Sequence, residues 1–136
     1  MNLAREKYYR GLFTVAGIYD VLLGVTFTFF PARAFALLGI SDKLPAFGGY
    51  LTLLGAFVLV IGIGYFLIAR GDLKRNVDLI LLGTLYKLAY AGTAFYYWFQ
   101  GSLPHPAFGA LFGIADLVFF ALMAECYWSL DKKIKA

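Results

Sequence analysis

Four nearly charge-free runs, residues 11–30, 48–69, 78–99 and 107–128, constrain this chain more than any other feature. Crossing a hydrocarbon layer of ~30 Å takes about 20 helical residues, and each run is that long. Their length and glycine content argue against buried strands. Soluble domains carry about 25% charged residues, whereas this chain carries 15% and is 62% hydrophobic. The expected fold is therefore all-α: a polytopic membrane protein in which residues 1–136 form a single domain, a bundle of four transmembrane helices.

The first run is preceded by Arg5, Lys7 and Arg10 and followed by Ala32-Arg33-Ala34, which resembles a signal peptide and its cleavage site. Its apolar core is longer than the roughly 7–15 residues of a signal, and Asp20 sits in its middle, so a retained helix is expected. Orientation follows the lysines and arginines outside the spans. Arg5, Lys7, Arg10, Arg70, Lys74, Arg75, Lys132, Lys133 and Lys135 fall on one side, and only Arg33 and Lys43 on the other. Both termini are then cytoplasmic, in a membrane of the bacterial inner (plasma) type.

The net charge of +4 is accounted for by this topology and by attraction to anionic lipid. The bilayer is the expected partner, and nothing has the groove-lining basic pattern of a nucleic-acid reader. Tyr8, Tyr9, Tyr96, Tyr97, Trp98, Tyr127 and Trp128 bracket the spans, where such rings anchor at the headgroup level. The single cysteine, Cys126, reads as a small core residue, and the single histidine, His105, as a solvated loop residue between two prolines. One histidine excludes bis-histidine haem within the chain, and no Cys/His set has zinc spacing. The first loop, 31–47, is bounded by prolines and carries Phe35, Leu37, Leu38 and Ile40. A short helix lying in the external interface is expected there.

Three ionisable residues interrupt the spans at mid-depth. At 1.5 Å per residue, Asp20 and Lys87 lie about 13–14 Å from the cytoplasmic start of their helices, and Asp116 the same distance from the external start of its own. Each charge costs about 2.5–3.5 kcal/mol at that depth if it stands alone. The three are therefore expected to face inward and meet. The neighbours agree: Ala16, Gly17 and Gly24 flank Asp20, Gly83, Ala91 and Ala94 flank Lys87, and Gly109 and Gly113 flank Asp116. Small residues at such spacings mark close helix contacts. Thr52, Gly55 and Gly62 form one stripe on the second span, a candidate fourth wall.

Asp20 and Asp116 sit in a repeated Gly-Ile-x-Asp, at 17–20 and 113–116. Two carboxylates and one ammonium leave a surplus negative charge, so either one protonated aspartate or a proton shared by the pair is expected. Tyr19, Tyr86 and Tyr90 are near enough in sequence to give hydroxyls to this cluster.

The outline, with Arg10 ahead of the first span, Gly17 and Gly24 within it and Pro31 closing it, resembles the DoxX-like group of small four-helix bacterial membrane proteins. It departs from that group at Asp20, where members often carry a basic residue. The resemblance implies an accessory membrane subunit or small-molecule-handling protein, sometimes tied to quinone-linked redox complexes, and assigns no catalytic residue.

The expected function is non-enzymatic: an accessory subunit or ligand-binding membrane module with a polar site made of Asp20, Lys87, Asp116, Tyr19, Tyr86 and Tyr90. Its ligand would be a lipid, a quinone or a group on a protein partner, within a larger complex or a homo-oligomer, and no resident cofactor or metal is expected. The alternatives are a proton-coupled transporter of a small solute and a membrane-embedded lipid-modifying enzyme using an Asp–Lys pair for acid–base chemistry.

Overall fold

A computed structural model describes residues 1–135, which are helical throughout their regular parts and contain no strand. Helix α1 (Leu3–Phe29) starts well before the first apolar run. The Asn2 side chain accepts from the Arg5 N–H at 2.9 Å, and Glu6 pairs with Arg10 one turn on, so the polar lead has its own start signal. Pro31, which has no N–H to donate, ends α1 and opens the short helix α2 (Pro31–Leu37). Gly39, at φ 70°, takes the left-handed turn after α2, and one 3₁₀ turn follows at Ser41–Lys43.

Helix α3 spans Gly49–Arg70 and α4 spans Val77–Phe99; the last helix, α5, runs Pro106–Ile134. With α1, these make four helices long and apolar enough to cross a membrane. The loop helix anticipated in 31–47 is α2, but its apolar residues divide. Phe35 and Ile40 are buried against Phe27, while Leu37 is 88% exposed.

The helices associate as two pairs. In the α1–α3 pair the backbones nearly touch along four glycines. A Cβ on Gly24 would lie 2.5 Å from the Leu59 nitrogen, and one on Gly55 would lie 2.5 Å from the Thr28 nitrogen. Gly17 meets Gly62 and Phe66, and Gly62 meets the backbone of Asp20 and Val21. Thr52, placed on the same stripe by the sequence, points outward instead and is exposed. The second pair is α4 with α5. Between the pairs it is side chains that meet. Tyr9, Phe13, Tyr65, Ile80 and Met123 fill the end that carries the termini, and Phe27, Phe35, Phe108 and Phe112 fill the α2 end.

Two polar ties close the terminal end. Arg10 donates to the carbonyls of Ala69 at 2.6 Å and Gly71 at 2.7 Å, capping the C-terminus of α3, where cations are favoured. Arg5 pairs with Glu125 and donates to Ser129 Oγ at 2.9 Å, joining α1 to α5.

Candidate functional site: a buried carboxylate–ammonium triad

Between the two apolar clusters lies a polar layer. Lys87 of α4 is 0% exposed, and Asp20 of α1 and Asp116 of α5 are 2% exposed. The Lys87 Nζ donates to Asp20 Oδ1 at 2.7 Å and to Asp116 Oδ1 at 2.8 Å. The two copies of Gly-Ile-x-Asp therefore converge on one ammonium. Small residues permit this. Gly62 lets α3 lie against α1 at Asp20 itself, and Ala91 and Ala94 keep the inner face of α4 narrow beyond Lys87.

Both bonds are charge-assisted and sit where no water competes, so they are individually strong. Removing one partner of such a buried set typically costs 3–5 kcal/mol, because the others are stranded.

Around the ammonium stand four aromatic rings, centred 5.1 Å (Phe119), 5.2 Å (Tyr19), 5.6 Å (Tyr65) and 5.8 Å (Tyr86) from Nζ. Ring faces attract cations, and the attraction grows when both are desolvated. Every one of the four long helices contributes: Asp20 and Tyr19 from α1, Tyr65 from α3, Tyr86 and Lys87 from α4, Asp116 and Phe119 from α5.

The tyrosines thus act differently from the sequence expectation. None of the Tyr19, Tyr86 and Tyr90 hydroxyls bonds to Asp20, Lys87 or Asp116 among the described residues. Tyr19 donates instead to the Leu111 carbonyl at 2.5 Å. Tyr86 offers its ring, and Tyr90 stands behind it, ring centres 4.8 Å apart, with Phe112 5.8 Å beyond. Depth along a helix places a ring near the cluster but does not say where its hydroxyl points.

Two features were invisible in the sequence. Tyr65 was unremarkable in an apolar run, yet its hydroxyl donates to the Gly83 carbonyl at 2.8 Å and its ring walls the ammonium. The only trace was Gly83, whose missing side chain makes the room. The second feature is a π-helical stretch, Gly109–Ala115, immediately before Asp116. Its wider turns offset the faces on either side, and such stretches recur at functional sites. Leu111, whose carbonyl Tyr19 engages, lies within it.

Of the remaining singled-out residues, Cys126 is buried in the terminal-end cluster. His105 is half-buried and not simply solvated: its Nδ1 accepts from the Ala107 N–H at 3.0 Å and caps the start of α5. Glu125, near the terminal end of α5, pairs with Arg5.

Chemically, two carboxylates and a box of rings form a receptor for an alkylammonium group, and the group held is the chain's own lysine. Comparison with protein-family models, curated proteins and solved structures finds no match.

Proposed function

We propose that the chain is an integral membrane protein with four spans and both termini cytoplasmic, set in a bacterial inner membrane. It works without catalysis, as a ligand-binding module or accessory subunit whose buried triad clasps two helix pairs together. One observation carries this reading: Lys87, wholly buried, bonds at once to α1 of one pair and α5 of the other.

In hydrocarbon, apolar side chains gain little by leaving lipid for one another, so close packing and interhelical hydrogen bonds do the joining. The α1–α3 pair has its glycine seam, and the triad ties that pair to α4–α5. The outward faces suit lipid: Leu22, Phe57, Val60, Leu82 and Val118 are all exposed. On this reading α2 lies in the outer interface with Leu37 toward lipid. The resemblance to DoxX-like proteins is consistent with an accessory subunit or a small-molecule-handling protein.

A second reading, proton-coupled transport of a small solute, is favoured by a single atom. Asp20 Oδ2 is buried and has no hydrogen-bond partner, so it is a place for a proton to reside. The enclosure of the ammonium by rings and carboxylates favours the fixed clasp over a passage.

The discriminating experiment is to excise the chain from its native membrane in lipid nanodiscs and record native mass spectra. A stoichiometric protein partner or a retained small molecule is the expected result. A bare chain that moves protons with a solute gradient after reconstitution would overturn the clasp in favour of transport.

A further inference from the structure

On the α2 side of the triad, α4, α5 and the start of α3 enclose a lateral groove of about 460 Å³, within the usual range for a ligand pocket. Leu54, Ala89, Tyr90, Thr93, Phe108 and Phe112 form its walls, with Tyr97 and Leu103 toward its rim. No charged residue lines it.

Thr93 is the informative wall residue. Of the six threonines, Thr28 has its hydroxyl buried unbonded in the α1–α3 seam, away from the groove, while Thr14, Thr26, Thr52 and Thr84 donate to the carbonyl four residues earlier, at 2.8, 2.7, 3.4 and 2.6 Å. This is the ordinary way for a helix to silence a hydroxyl. Thr93 makes no hydrogen bond among the described residues, although the Ala89 carbonyl stands in the corresponding position. A donor is left open on a wall that carries no charge and, besides two tyrosines, only apolar side chains, in a segment proposed to lie in lipid.

Its depth identifies what would use it. On the membrane reading, on which this inference rests, Tyr96, Tyr97 and Trp98 mark the external headgroup level. Thr93 lies about one turn deeper. Just beneath the headgroups a glycerolipid carries its ester carbonyls, which accept but cannot donate, and below them only hydrocarbon chain. The groove repeats that order. Tyr97 and Thr93 come first, then Ala89 and Leu54, with Tyr90 packed at a tilt against Phe112 as its floor.

We propose that this groove is a binding site for one glycerolipid of the external leaflet. One acyl chain lies along the groove, and an ester carbonyl accepts from the Thr93 hydroxyl. The floor is also the back of the ammonium box, since Tyr90 packs on Tyr86 and Tyr86 faces Lys87. Lipid occupancy therefore supports the wall that holds the triad.

The test begins with an alkaline wash of membranes. Release of the chain there overturns the membrane reading itself, before any lipid is considered. Chain that stays in the membrane is purified in detergent and given either a diester phosphatidylglycerol or its chain-matched diether, and retention is read by native mass spectrometry. One diester is retained, and the diether about fivefold less well, the effect of one hydrogen bond. Thr93→Val lowers the diester to the diether level and leaves the diether unchanged. Ala89→Trp, at an exposed wall position, abolishes retention of both, while Leu85→Trp, exposed but outside the groove, retains them. Equal retention of diester and diether by the unaltered chain overturns the proposal. So does retention indifferent to Ala89→Trp, or a dimer lost on Ala89→Trp, which would make the occupant a second copy.

Discussion

The Tyr65 hydroxyl donates to the Gly83 carbonyl at 2.8 Å, and the Tyr65 ring occupies the space that any side chain on residue 83 would need. A Cβ there would lie 2.6 Å from Tyr65 Cε1. Gly83→Ala must push the ring out of the box around Lys87, and it should cost about 1–3 kcal/mol in a denaturant titration of the detergent-solubilised chain. Tyr65→Phe keeps the ring and loses only the hydroxyl bond, so on the proposed membrane reading it should cost about 0.6 kcal/mol, the usual yield of such a bond between spanning helices. Equal losses would show that ring placement is not what Gly83 serves.

The glycine seam between α1 and α3 gives a sharper contrast. At Gly24 the obstructing atoms are the Leu59 nitrogen and Cα, which no rotamer change can move. Gly24→Ala should separate the pair and cost about 3 kcal/mol. Gly92, on the same kind of helix but with nothing within 4 Å, should accept alanine and gain up to about 1 kcal/mol of helix propensity. The same titration reads both.

The four long helices could be read from the sequence because hydropathy reports directly on length and solvent. The triad could be read too, since three charges at one depth leave few ways to avoid stranding any of them. What stayed hidden depends on tertiary contact. The outward turn of Thr52 follows from how α3 rotates to bring Gly55 and Gly62 against α1, and a stripe of small residues does not fix that rotation. The π-helical stretch at Gly109–Ala115 has no sequence signature of its own. The early start of α1 escaped a hydropathy reading because its first turns are polar and end-capped, not apolar.

Topology can be checked independently of packing. Nine lysines and arginines against two predict that a reporter fused after Ala136, or inserted near Lys74, remains cytoplasmic, and that one inserted at Ser102 is external. Labelling of the C-terminus from the periplasm would reverse the leaflet assigned to the lipid groove.

Because Lys87 fills an ammonium receptor, its removal should leave a site that free amines can occupy. Lys87→Ala vacates a space matching n-propylammonium, between the Asp20 and Asp116 carboxylates and within the ring box. Adding n-propylamine should raise the melting temperature of this variant in a concentration-dependent way. It should do little to the unaltered chain, and n-propanol, similar in shape but uncharged, should help neither.

Asp20, Lys87 and Asp116 form one clasp, and comparing a single with a triple substitution measures how far each depends on the others. Lys87→Met leaves two buried carboxyls facing each other and should cost about 3–5 kcal/mol in unfolding free energy. Adding Asp20→Asn and Asp116→Asn to it removes the stranded charge and should restore most of that loss, bringing stability within about 2 kcal/mol of the unaltered chain. A Lys87→Met chain as stable as the unaltered one would show instead that the three residues do not depend on one another and that no clasp exists.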